Sequence, residues 1–171
     1  MTGAQQQQVG TSQQPSEELA RTVMRQGELN LDAQLRLAMN ADQRGASLAS
    51  VFALLASGLL AAAAAKAVPP NGSIALAVSG ALEVVAAVMC VVATWPRPFA
   101  VPGNRPKNWW DDGVTNRSLA ECLYRESLNY ESAISRNRCR LDWSSRWVTF
   151  GALVGVISPM VGLLTYLALA A

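Results

Sequence analysis

Histidine is absent from all 171 residues. Its absence excludes His-based general-base catalysis, catalytic triads, imidazole-ligated zinc and haem held on histidine. Charge is also scarce: Asp, Glu, Lys and Arg make up 15% of the chain, with a formal net charge of +2. A soluble domain carries about a quarter charged residues, so the shortfall points to a membrane. Three cysteines cannot all pair within one chain, and they are too scattered for a zinc cage or a disulfide framework. No phosphate-binding loop, Gly-x-Ser-x-Gly elbow or metal-ligand spacing is present. The adjacent pair Asp111-Asp112 reads as solvated or helix-starting acids. An enzyme, a cofactor and a nucleic-acid partner are therefore not expected.

What the chain does have is apolar length, 51% of it being hydrophobic. Ala46–Ala65 is free of charge, Ile74–Trp95 holds only Glu83, and Trp147–Ala171 is again uncharged. As helices these blocks reach roughly 30 to 37 Å, enough to cross ~30 Å of hydrocarbon with some tilt. Three such blocks cannot all be core helices of a soluble fold, because too little amphipathic chain remains to cover them. The first follows 45 residues of polar chain and is too long for a signal-peptide core. The expected class is an all-α integral membrane protein with three transmembrane helices, the first and third carrying long cytosolic helical extensions.

The organisation follows. Residues 1–15, with Gln5 to Gln8, read as a disordered Gln-rich tail. Residues 16–45 form a cytosolic helix capped at Ser16, with Gly27 as its weak point. Residues 46–65 are the first span, 66–73 an external turn in which Ser73 can cap the next helix, and 74–95 the second span. A Pro- and Trp-rich cytosolic loop occupies 96–115, a second cytosolic helix 116–146, and the third span 147–171. Thirteen of the fourteen Lys and Arg fall on one side of this arrangement, Lys66 alone lying in the external turn. By the positive-inside rule that side is cytoplasmic. The chain is thus expected in the cell inner (plasma) membrane, multi-pass, with the N-terminus cytoplasmic and the C-terminus external. Cys122 and Cys139 would face a reducing compartment as free thiols. Trp95, Trp147 and Tyr166 fall near the interfaces, where amphipathic rings anchor spans.

Two seams run through the helices. Leu31, Leu35, Ala38, Asp42, Gly45, Ala49, Phe52, Ala56 and Leu59 alternate by four and three, a heptad pattern crossing the membrane boundary unbroken. Asp42 interrupts it, either as a solvated boundary residue or as the partner of an arginine on a neighbouring helix. Leu123, Ser127, Tyr130, Ile134, Asn137, Leu141, Ser144 and Val148 repeat the spacing with a half-polar seam, in which Tyr130 and Asn137 sit at core-type positions. The series continues as Gly151, Gly155, Ser158, Gly162 and Thr165. Small residues on one face let another helix approach closely. A long helix with a half-polar seam does not stand alone in water, so a homo-oligomer is expected.

Inside the predicted bilayer Glu83 lies at mid-span. A charged side chain there costs about 3 kcal/mol on insertion scales, so it should face other helices, be protonated or see water, with Ser79 as a local partner. Ion or proton passage and structural packing are both open to it. Pro159 should kink the third span. In the loop, Arg105, Lys107, Trp109 and Trp110 form either an interfacial anchor or a ring-stacking site for a base or lipid head with cations for phosphate.

Ala41-Asp42-Gln43-Arg44-Gly45-Ala46, at the mouth of the first span, resembles the Asp-x-Lys-Ala motif of small bacterial membrane effectors. These are the SLATT-like and Pycsar-type transmembrane proteins of nucleotide-second-messenger antiphage defence. The helical hairpin is similar too, as is the basic helix Leu119–Arg146 with Tyr130, Asn137 and Arg138 before a last hydrophobic segment. In this chain Arg44-Gly45 stand in place of Lys-Ala. The resemblance implies an oligomer in the inner membrane that perturbs its integrity or conducts ions when triggered. A nucleotide second messenger or a cytosolic partner protein would be the trigger. The alternative is a non-transporting anchor whose cytosolic helices recruit a partner.

Overall fold

The computed structural model describes residues 16–103 and 117–171, and within them the chain is all-helical. Three helices follow one another: α1 Glu17–Ala63, α2 Pro70–Ala93 and α3 Leu119–Ala170. Each contains a stretch long and apolar enough to cross a membrane. The loop residues Arg105, Lys107, Trp109 and Trp110 lie outside the described residues.

Local chemistry sets the ends. The Ser16 hydroxyl accepts the Leu19 amide at 3.2 Å, and Glu17 and Glu18 occupy the first turn of α1. There they complement the positive end of the helix dipole. Ser118 plays the same part for α3, accepting the Glu121 amide at 3.2 Å. The start of α2 differs from the one the sequence suggests, at Ile74 behind a Ser73 cap. The helix starts at Pro70, and the capping position is Pro69, without a side-chain hydrogen bond. Proline has no amide to leave unsatisfied in a first turn and its φ is already helical, so the helix begins earlier. Ser73 then lies inside the first turn, and its hydroxyl donates to the Ala63 carbonyl at the end of α1. At the other end α2 stops at Ala93, short of Trp95, where the Thr94 and Trp95 amides close on the last carbonyls.

Gly27 and Pro159 both lie within helices. α1 is continuous through Gly27. A Cβ there would lie 2.8 Å from Cδ2 of Tyr130, so the glycine makes room for a ring. Pro159 lies inside α3, which is continuous in hydrogen-bonded helix from Leu119 to Ala170.

The residues divide into two compact units. One combines the chain up to Ala33 with Ala100–Ser135. Its core is Leu31, Tyr130 and Ala133, flanked by Met24, Ala100 and Ile134. The seams of α1 and α3 therefore meet within one chain here. Tyr130 is the centrepiece: its ring lies against Gly27 and its hydroxyl accepts the Gly103 amide at 3.0 Å, tying the segment after α2 to α3. Gly103 has φ +95°, a conformation glycine adopts without strain. Burial pushes the Tyr130 phenol above its ordinary value near 10, the Gly103 amide pulls the other way, and the Glu28 and Glu126 carboxylates push it up again.

The second unit, Gln34–Phe99 with Arg136–Ala171, packs the apolar parts of all three helices. Ala49, Phe52, Ala86 and Cys90 form its core, with Leu48, Ala87 and Val154 against them. α2 is the most enclosed, with 33% of its apolar stretch buried against 17% for α1 and α3. The outward faces carry Leu54, Val156, Met160, Leu163 and Leu164, all largely exposed. Monomeric soluble proteins rarely leave so much contiguous apolar surface open.

Candidate functional site

The small-residue face of α3 is filled from within the chain. Gly151 approaches α2, where a Cβ would lie 2.9 Å from Sγ of Cys90 and 3.0 Å from the Ala86 carbonyl oxygen. A Cβ on Gly155 would run into the Phe52 ring of α1, and one on Gly162 into the Ser79 hydroxyl of α2. Ser158 is fully buried among them, whereas Thr165 is half-buried and donates to the Val161 carbonyl at 2.8 Å. Three glycines and a serine thus let both other helices reach the α3 backbone. This is the close-approach geometry that dispersion between apolar helices requires.

Glu83 lies in that contact, with 2% of its surface exposed. The Ser158 hydroxyl donates to its Oε1 at 2.5 Å, and the Ser79 hydroxyl donates to the Ser158 carbonyl at 3.1 Å. The local partner expected from the sequence, Ser79 one turn earlier on α2, therefore serves α3 instead. Ser158 takes its place across the helix pair, from a position 75 residues away. Helical periodicity places both residues on inward faces but carries no information on their relative height, so sequence reasoning missed the pair. Glu83 Oε2 is buried with no hydrogen-bond partner. A buried polar atom without a partner costs about 1–3 kcal/mol. Pro159 adds a second irregularity beside it, because proline supplies no amide to the Gly155 carbonyl one turn back.

Among the other seam residues, Asn137 is fully buried, while Asp42 is exposed between the buried Ala38 and Gly45. Asp42 lines a small hollow with Arg97, Arg140 and Ser144. The atoms packed around its base desolvate its carboxyl and hold it above its ordinary value near 3.8. The Arg97 guanidinium stacks over the Trp143 ring at 3.4 Å, and Trp143 leans on Trp147 with ring centroids 5.5 Å apart. Nothing in the proline-rich pattern of the segment after α2 singles out this arginine. Cys90 and Cys122 are buried and Cys139 is exposed, all three as free thiols. Among the described residues, no three of His, Cys, Asp and Glu come together as metal ligands.

Compared with known protein families, with curated proteins and with solved structures, the chain matches none.

Proposed function

We propose that this chain is an oligomeric membrane effector that conducts ions or breaches the bilayer when triggered, with Glu83 as the group that meets the permeating proton or cation. The single observation that carries this reading is the buried Glu83 carboxyl with one oxygen unsatisfied, at the contact of three apolar helices. A purely structural tie would favour serine or glutamine, whose insertion costs less. Intramembrane acids are retained where their charge is used. The enclosed carboxyl then belongs to a resting form, and the trigger acts by parting α2 from α3.

The helices lie in the bacterial inner membrane with the N-terminus and the α2–α3 connection in the cytoplasm and the C-terminus outside. Thirteen of fourteen cations on one side support this orientation. The similarity to SLATT-like and Pycsar-type effectors supports an antiphage-defence role, with a nucleotide second messenger or a cytosolic protein as trigger. Since the small-residue face of α3 is occupied by its own chain, subunits would meet through the exposed outer faces of α1 and α3.

A second reading, a non-transporting anchor that recruits a partner, draws on the unit around Tyr130. That unit has an open cleft of about 480 Å³ lined by Val23, Leu29, Asn30, Tyr130 and Ile134. Induced expression beside a membrane-potential dye separates the two. Wild type should depolarise cells and Glu83→Gln, matched in expression, should not. Equal depolarisation by both removes Glu83 from the path, and none by wild type, alone or with its genomic neighbours, favours the anchor.

A further inference from the structure

The hollow beside Asp42 sits where all three helices pass from apolar to polar sequence. Ala38, Ala41 and Asp42 of α1 precede the block starting at Ala46; Ala93 ends α2; Arg140, Leu141 and Ser144 of α3 precede the block starting at Trp147. The three are level, because a Cβ on Gly45 of α1 would lie 2.6 Å from Cγ2 of Thr94 and 3.5 Å from Cγ2 of Val148. Trp95 and Arg97, from the strand of chain leaving α2, complete the wall with Phe99.

Its chemistry is that of an anion site. Arg97 and Arg140 both line it, and neither has an ion pair among the described residues. Stacking on Trp143 occupies the flat face of the Arg97 guanidinium and leaves its in-plane N–H donors for an acceptor. Ser144 offers nothing further, since its hydroxyl already donates to the Ala93 carbonyl at 2.9 Å. Two arginines against the Asp42 carboxylate leave one net positive charge, the complement of a single phosphodiester. The hollow, partly open and about 50 Å³ in volume, is small beside nucleotide pockets, which run to several hundred Å³. Trp95 is 66% exposed beside it, an indole at the depth where headgroups lie.

We propose that the hollow between Arg97, Arg140 and Trp95 holds the phosphodiester of an anionic phospholipid of the cytoplasmic leaflet. Basic pockets between spans on that side take such headgroups. The site rests on the membrane reading above but not on ion conduction. Asp42, facing the same space, limits the affinity.

The test uses the full chain purified in mild detergent and titrated with phosphatidylglycerol or phosphatidylethanolamine, bound lipid being counted by native mass spectrometry. Wild type should prefer phosphatidylglycerol. That preference should fall on the order of fivefold per arginine removed in Arg97→Gln and Arg140→Gln. Asp42→Asn should raise it, a gain that misfolding cannot produce. Arg146→Gln, outside the hollow, should leave it unchanged; equal loss there means diffuse surface charge and overturns the site. Displacement of the lipid by millimolar inorganic phosphate overturns the lipid source. Carbonate washing of the same cells keeps the two claims apart. Protein in the wash sinks the membrane reading, whereas protein in the pellet without lipid preference sinks this site alone.

Discussion

Gly155→Leu is expected to destabilise the protein by about 3 kcal/mol or more in detergent, at or beyond the upper end of typical overpacking penalties. The first carbon added at this position already overlaps the Phe52 ring, and the rest of the side chain has to displace it. Phe52 in turn is 6% exposed and belongs to the core with Ala49, Ala86 and Cys90, so it has no free space to retreat into. Gly58→Leu is the matched control, since nothing lies within 4 Å of a Cβ there. It should be neutral or slightly stabilising, because leucine is the better helix former by about half a kcal/mol or more. Thermal unfolding of both variants in the same detergent checks the pair. A Gly155→Leu protein as stable as Gly58→Leu would mean that α3 does not pack on Phe52.

Tyr130→Ala is expected to cost about 3–5 kcal/mol, the usual range for deleting a buried aromatic ring. The loss has three parts that the geometry separates. The ring leaves the Leu31–Ala133 core, the space facing Gly27 empties, and the Gly103 amide loses its acceptor. Tyr130→Phe isolates the last of these and should cost about 1 kcal/mol. Limited proteolysis of the wild type and both variants should show earlier cleavage between α2 and α3 in Tyr130→Ala. Equal protection in all three would remove Tyr130 as the tie on that segment.

Much of the fold is legible in the sequence because apolar length and helical spacing are one-dimensional signals. The three apolar blocks are evident from composition alone. The four-and-three spacing names Leu31, Ala38, Gly45, Ala49, Phe52 and Ala56, each of which the structure buries. Height along a helix pair is not such a signal. Periodicity puts Glu83 and Ser158 on inward faces, yet only packing brings the two level, so from sequence the nearer Ser79 reads as the partner. The glycines show the same limit from another side. Gly27 reads as a weak point of the helix, and the Tyr130 ring packed against it is invisible to the sequence, because the reason for a glycine lies in what approaches it. The Arg97–Trp143 stack joins a proline-flanked arginine to a helix residue 46 positions on, and neither local pattern announces it.

Whether three helices cross the membrane with the basic side in the cytoplasm can be measured directly with the native thiols. Cys139 is exposed on the basic side, while Cys90 and Cys122 are buried. Lys66, exposed between α1 and α2, can be made Lys66→Cys in a Cys139→Ser background. With a membrane-impermeant maleimide on intact spheroplasts, Lys66→Cys should be labelled and Cys139 should react only after the membrane is opened. Labelling of Cys139 in intact spheroplasts, or of Lys66→Cys only after opening, would contradict this topology.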